Sequence, residues 1–595
     1  MASINIILTI CLPFLSLAAY GLRALYQHRS KINRLRKQGV RMPAGWSWLT
    51  GHLLVLSDYV NRLPEDANVV LATQELASEH TDTEIFLLDV WPMSPAQYIV
   101  FYPEAASQAT NKLNLAKAVI QPRFMQPITG GPSMISMGNA EWKVWRSIFN
   151  PGFSAGSMQD LLPEVIKSVG VFCEKLHEKA NAGKFFALDD LTTRLTMDVI
   201  LKVTLDADLD HQHSDNIIAT ALGHITKWHS FWDPRVRAHP LRPLVQGYYG
   251  RVVNKCIRKA LNERFSEMKQ TKRDVSSRSK RAKSILTLAL EAYLENKNEE
   301  ITEATQLDDR FAEYVTYQIR LFLFAGTDTT SSSIAYVYHL LSKHPEALAR
   351  VRQEHDHIFG PDPSAAALQL REQPSLLNQC SYTMAVIKET LRLYSPAGTM
   401  RQGANGLSLA DRHGYQYPLA DDFCVVILHQ ATHLNPRVWP RAREFIPDRW
   451  LVEPGHELYP DPAAYRPFEQ GPRNCIGQTL VYNEMRTVLV MTARTFDIKP
   501  AYDELDAMKA KQRGWFDHIA ESVGFQNKRP KLQHGERAYQ SEKAGTHPVD
   551  GYPCRVTLVT QIQQSQRINF PCTRNGDSLG PFLKSCSISH TQPHY

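Results

Sequence analysis

A cysteine near the C-terminal end of the chain lies among residues that suit it to bind a metal. It is Cys475, in the segment FEQGPRNCIG, just before an apolar stretch typical of a helix. A thiolate that must reach a haem iron needs a tight turn before it, close backbone approach after it and a cation for the haem carboxylates. Gly471 can supply the turn and Gly477 the close approach. Arg473 can pair with a carboxylate in a bidentate fork, and Phe468 can keep water from the sulfur.

The other interpretation of Cys475 is a buried structural thiol, because free cysteine is among the most buried residue types. The residues around it argue against that interpretation. Five fixed residue types in this spacing would arise by chance in a chain of this length on the order of once in 10,000 sequences.

A second candidate for chemistry interrupts a long apolar helical pattern at residues 311–340. The segment AGTDTT at 325–330 places small, hydroxylated and acidic residues where a buried helix would not tolerate them without a use. An acid beside a hydroxyl, here Asp328 beside Thr329, can relay protons from solvent to a reacting group. The alternative is a helix kink in which threonine hydroxyls bond back to backbone carbonyls.

The cysteine segment, written as F-x-x-G-x-R-x-C-x-G, resembles the haem-binding loop of the cytochrome P450 family, the haem-thiolate monooxygenases. The resemblance runs from about residue 40 to about residue 560, with four motifs in the family's order. It implies that Cys475 is the proximal ligand to the iron of haem b, and such a thiolate favours O–O cleavage. It also implies that Gly326 gives room for dioxygen, while Asp328 and Thr329 deliver protons.

The same resemblance implies a structural ionic core. Glu389 and Arg392 lie three residues apart on a predicted helix, a spacing that by itself is common on protein surfaces. The segment FIPDRW follows them, and the family shares the glutamate between Arg392 and Arg449 behind the proximal face of the haem. These three residues are therefore expected to form the haem pocket and not to do chemistry.

Further residues are expected at the edge of the haem and above it. The segment WKVWR is similar to a family helix in which Arg146 binds a haem propionate and Trp142 packs near the porphyrin edge. Without that resemblance, the two would be read as a stacked surface pair. Arg401 lies where the family often has another propionate contact, and Phe322 with Leu323 is expected to help select the substrate.

The resemblance implies a mainly helical fold with a small β region, the cytochrome P450 fold. Most of residues 155–345 carries a helical pattern, and alternating apolar residues at 83–102 predict short strands. A hydrophobic content of 43% is ample for one large core.

The N-terminus is predicted to be a transmembrane helix. Residues 1–22 carry no charged side chain and are long enough to span a bilayer. Seven basic residues follow before the first acid, and they predict that the body stays in the cytosol: Arg23, Arg29, Lys31, Arg34, Arg36, Lys37 and Arg41. A cleaved signal peptide, the rival interpretation, would carry its basic region before the apolar run.

The chain is thus predicted to divide into four parts. Residues 1–22 are the anchor, 23–45 a basic and proline-containing hinge, and 46–560 the haem-thiolate monooxygenase domain. Residues 561–595 are rich in Gln, Ser, Pro and Asn and are expected to be a disordered tail.

Charge and cysteine usage exclude several other classes of protein. The formal net charge of +7 equals the charge of the seven basic residues after the anchor, so the rest is near neutral. A nucleic-acid partner therefore has no electrostatic basis, and the basic run fits a membrane surface better. The nine cysteines are scattered without a C-x-x-C pair, which fits neither a disulfide framework nor a zinc site.

The resemblance implies a single-pass protein of the endoplasmic reticulum membrane with a cytosolic catalytic domain. It would take NADPH electrons through a cytochrome P450 reductase and insert one oxygen atom from O2 into a small lipophilic substrate. Likeness of residues 535–556 to fungal members favours a secondary-metabolite intermediate, polyketide or terpenoid. Two alternatives are an oxygen-independent isomerase or dehydratase, against which the Asp328–Thr329 pair argues, and a non-catalytic haem-binding sensor.

Overall fold

A computed structural model describes residues 2–80, 83–230, 234–273, 283–296, 307–512, 531–543 and 545–559. The predicted tail at 561–595 lies outside these residues, as do the side chains of residues 1–12.

Helices form most of the described chain, as the helical pattern predicts. The first ten are α1 (Ala2–Lys37), α2 (Leu53–Asn61), α3 (Val70–Glu79), α4 (Pro103–Ser107), α5 (Gln121–Thr129), α6 (Asn139–Phe149), α7 (Ala155–Asp160), α8 (Leu162–Ala182), α9 (Leu188–Leu205) and α10 (Ile217–Lys227). The later ones are α11 (Pro234–Arg237), α12 (Arg242–Arg273), α13 (Ile285–Asn296), α14 (Asp309–Lys343), α15 (Pro345–Phe359), α16 (Ala366–Glu372), α17 (Ser381–Leu393), α18 (His429–His433), α19 (Gln478–Thr492) and α20 (Tyr502–Gln512).

The strands are short and form small sheets. They are β1 (Ile85–Leu88), β2 (Gln97–Val100), β3 (Phe186–Ala187), β4 (Thr399–Gln402), β5 (Ser408–Ala410), β6 (Gln416–Pro418), β7 (Cys424–Ile427), β8 (Phe496–Pro500), β9 (Gln540–Lys543), β10 (Gly545–Pro548) and β11 (Pro553–Leu558). The largest sheet has the order β1-β2-β7-β4, with β2 and β7 parallel and the other neighbours antiparallel. A second sheet has the order β3-β11-β8, and β9 with β10 forms a separate antiparallel hairpin. The prediction of a mainly helical fold with a small β region is confirmed.

The long helix α14 is the central element of the core. Its N-terminus is capped by Asp308, whose side chain accepts a hydrogen bond from the Phe311 amide at 2.9 Å. Val315, Ile319 and Leu323 are fully buried at a spacing of four residues, so this face of the helix packs into the main hydrophobic cluster. The helix can therefore hold its polar segment in a fixed place inside the protein.

The N-terminal helix contains the predicted anchor and most of the basic part of the predicted hinge, and the boundary between them stays a prediction. α1 runs from Ala2 to Lys37, and its second half packs on the body. Arg29 is fully buried and pairs with Asp89, while Lys31 pairs with Asp422. The basic segment therefore also holds α1 on the body, because two of its positive charges pair with carboxylates of the body. Among the residues that the structure describes, no helix combines the length and the apolar composition that a membrane span needs.

Candidate active site around Cys475

The loop that carries Cys475 is a tight turn closed by its own backbone. The Cys475 amide donates to the Phe468 carbonyl at 2.8 Å, and Gly471 between them has φ = +81°. A Cβ at Gly471 would lie 2.2 Å from Asn111 Oδ1 and 2.9 Å from the Thr110 carbonyl oxygen. Only glycine fits this position, because both the left-handed backbone and the close approach exclude a side chain.

The sulfur of Cys475 is reachable by solvent, although many protein atoms surround it. Loss of hydration raises the pKa of this thiol, while a hydrogen bond from the Gly477 amide and the positive charge of Arg146 act in the opposite direction. The Gly477 amide stands at the N-terminus of α19, so the helix dipole adds to this stabilisation of a thiolate. The surroundings of Cys475 thus include a donor and a cation that favour the form able to bind a metal.

Arg146 fastens α6 to the cysteine loop. Its Nη1 and Nη2 donate to the carbonyl and the side-chain oxygen of Asn474 at 2.8 and 3.0 Å, and its Nε donates to Asn150 at 2.7 Å. These contacts were not predicted, and the role of Arg146 at a propionate stays a prediction. The side chain still acts on the sulfur, through its charge and through the position of Asn474.

Two other predicted arginines have buried donors without partners. Arg401 is fully buried and donates from Nη1 to the Leu115 carbonyl at 3.1 Å, but its Nε and Nη2 have no partner among the described residues. Arg473 donates from Nη2 to Asn139 at 2.6 Å, while its Nε and Nη1 have none in the same part of the chain. Unpaired buried guanidinium donors are costly, so the pair is suited to bind an anion.

Trp142 lies beside this pair, as predicted, with the Arg473 guanidinium 4.7 Å from its ring centre. A third cation, Lys117, was not predicted. Burial lowers the pKa of Lys117 to about 7. The positive charges of Arg401 and Arg473 also lower this pKa, whereas the negative charge of Glu469 raises it. Three cations that repel one another at one place strengthen the case for an anionic ligand there.

The predicted ionic core is present and fully buried. Glu389 accepts from Arg392 Nε and Nη2 at 2.9 and 2.8 Å, and from Arg449 Nε at 3.0 Å. The indole of Trp450 and the backbone amide of Ile446 each add a hydrogen bond of 3.0 Å to the same carboxylate. All three charged side chains are 0% exposed, so each depends on the others for its charge compensation.

The polar segment of α14 does not break the helix, which continues through residues 325–330. Thr329 donates to the Ala325 carbonyl at 2.9 Å, the back-bond that the alternative interpretation predicts. Gly326 faces α9, where an added Cβ would lie 2.7 Å from Ile200. The structure thus gives Gly326 a packing role, whereas its predicted role beside dioxygen stays a prediction. Asp328 points to the β9–β10 hairpin, where it contacts His547, a residue that the sequence did not single out.

Phe322 packs inside the core. Its ring lies 5.3 Å from that of Phe149 and 5.4 Å from that of Phe153, and Leu323 beside it is also buried. The substrate-selecting role of Phe322 and Leu323 stays a prediction.

Comparisons with known proteins agree with this geometry. The family model described as "Cytochrome P450" matches residues 46–519 of the chain. Over 551 residues the chain is 37% identical to "Cytochrome P450 monooxygenase polC" of Polytolypa hystricis, covering 91% of this chain and 94% of that protein. It is 30% identical over 489 residues to "Cytochrome P450 monooxygenase acrF" of Aspergillus aculeatus, covering 80% and 94%.

A solved structure has the same fold. The crystal structure of a cytochrome P450DA heme domain aligns with a TM-score of 0.62 and 19% identity, covering 88% of this chain and 98% of that one.

Proposed function

This chain belongs to the cytochrome P450 family of monooxygenases, and from that premise we propose that it is a membrane-anchored enzyme that inserts one oxygen atom from O2 into a lipophilic substrate. The observation that carries the proposal is the pairing of a turn-held cysteine with buried, unpaired arginine donors. Likeness to monooxygenases of Polytolypa hystricis and Aspergillus aculeatus supports a fungal secondary-metabolite intermediate as the substrate. We propose a polyketide or terpenoid as its class.

The residues present fit haem b. Cys475 would supply the sulfur that binds the iron, and Arg401 with Arg473 and Lys117 would pair with the propionate carboxylates, which carry the charge opposite to these donors. When bound, thiolate-ligated haem supplies the activation and cleavage of O2. The protein contributes a sulfur whose thiolate form the Gly477 amide and Arg146 favour against the effect of burial, and the buried ionic core of Glu389, Arg392 and Arg449.

Oxygen incorporation tests the function directly. Extracts of fungal metabolites are first screened for a compound that shifts the spin state of the haem-loaded protein. That compound is then incubated with the protein, a cytochrome P450 reductase, NADPH and oxygen-18 gas. We expect one labelled atom in the product, whereas an isomerase or dehydratase would give an unlabelled product without NADPH use.

Arg401 should determine how tightly the haem is held. Arg401→Gln removes a buried charge that would pair with a propionate, an interaction worth about 1.5 to 3 kcal/mol. We therefore expect haem to leave roughly 10 to 100 times faster, measured as transfer to an excess of apomyoglobin. Arg494→Gln is the control, because Arg494 is equally buried but pairs with Asp356. Equal release rates from both variants would count against the propionate assignment.

Thr329 should determine how much of the NADPH that the enzyme consumes yields product. Thr329→Ala removes the hydroxyl next to Asp328 that we propose to place protons, a role that contributes on the order of 100-fold or more in other enzymes. Product per NADPH should fall about 10-fold or more, with hydrogen peroxide appearing in its place. Thr330→Ala is the control, because Thr330 is buried beside it. Unchanged coupling in Thr329→Ala would remove Thr329 from the mechanism.

We also propose the source of the electrons. Lys143 is exposed on α6, the helix whose Arg146 is bonded to the cysteine loop. An acidic surface of an NADPH-dependent cytochrome P450 reductase could meet this basic side chain close to the sulfur, since opposite charges steer such encounters.

Residues 1–22 should anchor the enzyme in the endoplasmic reticulum membrane. They carry no charge and are followed by basic residues, which supports a single span with a cytosolic body. The full chain should stay in the membrane pellet after an alkaline carbonate wash. A chain that begins at residue 23 retains Arg29 and its Asp89 partner, and should be released. Release of both chains alike would contradict the anchor.

A further inference from the structure

A buried histidine joins α9 and α14 near the proposed proton-handling residues. His547 on β10 is 5% exposed, and both of its ring nitrogens face carboxylates. Its Nδ1 is 2.7 Å from Asp189 Oδ1 on α9, and its Nε2 is 3.1 Å from Asp328 Oδ1 on α14. Both aspartates are nearly buried themselves.

The geometry requires a charged imidazole. A neutral imidazole has one donor nitrogen, whereas two carboxylates at hydrogen-bond distance call for two donors. Burial alone would lower the pKa of His547, but the charges of Asp189 and Asp328 outweigh it and raise the pKa to about 10. Tyr336 of α14 also lies near Asp189, and burial raises its pKa well above the usual value, so it stays neutral.

The hairpin holds the imidazole and the Asp328 carboxylate in one arrangement. The Ser541 hydroxyl on β9 donates to the His547 carbonyl at 3.1 Å, and Thr546 donates to the Pro396 carbonyl at the same distance. A Cβ at Gly545 would lie 1.8 Å from Asp328 Oδ2, so the carboxylate lies directly against the glycine backbone. Both oxygens of Asp328 thus face β10.

We propose that His547 is a positioning residue of this enzyme: as an imidazolium held by Asp189, it holds the Asp328 carboxylate in place against β10, and so controls proton supply to Thr329. The inference rests on the proposed role of Asp328 in that supply. Without the cation, the two nearly buried carboxylates would lose their common counter-charge, and burial disfavours an unpaired charge. In a variant without His547, the rate of the proton-dependent step would therefore change with pH, whereas the wild-type rate would not.

The test needs neither substrate nor reductase. Dithionite-reduced, haem-loaded full-length protein is mixed with oxygenated buffer, and the return of the ferric spectrum is followed from pH 6 to pH 9. We expect a flat profile for the wild type and a rate for His547→Gln that is about 10-fold lower and changes with pH. His355→Gln is the control for the effect of losing any buried histidine. His355 is hydrogen-bonded to Thr383, and its variant should keep the flat profile.

A second readout uses stability. Because the folded pKa of His547 lies above the unfolded value of about 6.5, its stabilisation is complete below that pH and is lost as the pH rises through about 10. The difference in melting temperature between wild type and His547→Gln should therefore shrink over that range. Should His547→Gln fail to fold, Gly545→Ala displaces the Asp328 carboxylate while the imidazolium stays, and should lower the rate at every pH without making it pH-dependent.

The outcomes separate this inference from the function itself. A missing thiolate-type spectrum with carbon monoxide in the wild type would overturn the proposed function. A normal spectrum together with a flat profile at the wild-type rate in His547→Gln, or an unchanged rate in Gly545→Ala, would overturn only the role of His547.

Discussion

Replacing Cys475 with serine should abolish monooxygenase activity. A serine hydroxyl cannot replace a thiolate as the strong electron donor that favours O–O cleavage, although it preserves the size of the side chain and the turn at Gly471. Product formed with NADPH and reductase should fall below detection. The same samples should show normal helix content by circular dichroism, because the Cys475 backbone amide still bonds to Phe468.

The control for this variant is Cys256→Ser. Cys256 is a partly buried cysteine on α12, outside the cysteine loop, and its replacement should leave activity unchanged. Product formation by Cys475→Ser at a rate close to that of Cys256→Ser would contradict the assignment of Cys475 as the iron ligand.

Glu389→Ala should destabilise the protein by about 3 to 5 kcal/mol, because it leaves Arg392 and Arg449 buried without their common counter-ion. That loss is a large part of the stability of an ordinary domain, about 5 to 15 kcal/mol. Urea unfolding followed by circular dichroism should show a much lower midpoint, and less of the expressed protein should contain haem.

The chain offers a matched control in Glu444→Ala. Arg441 and Glu444 also form an ion pair three residues apart, but both side chains are exposed to solvent. Loss of such a pair should hardly change the urea midpoint. A Glu389→Ala midpoint equal to that of Glu444→Ala would show that the buried triad does not hold the fold together.

The parts of the site that the sequence could predict are those encoded in short spacings. The turn at Gly471 and the cysteine that follows it lie within five residues, and the Glu389–Arg392 pair lies within one helical turn. Such local patterns fix their own geometry, since backbone conformation and helical repeat decide which groups meet. The mainly helical fold followed from the same kind of periodicity.

The parts that the sequence missed depend on distant pairings. His547 meets Asp328 across 219 residues and Asp189 across 358, and no residue type around it marks that meeting. Lys117 joins Arg401 through an isolated antiparallel bridge between a loop and β4. The contact of Arg146 with Asn474 was also missed, because a guanidinium can reach a backbone carbonyl as readily as a carboxylate.

The Cys475 sulfur should bind haem iron as a thiolate, and the absorption spectrum of the wild-type protein reports that bond. The full chain, expressed with a haem precursor and purified, is reduced with dithionite and exposed to carbon monoxide. We predict the strongly red-shifted Soret band that thiolate ligation produces, lost in Cys475→Ser and kept in Cys256→Ser. A protein that binds no haem, or whose carbon monoxide complex has the Soret band of histidine-ligated haem, would contradict thiolate ligation by Cys475.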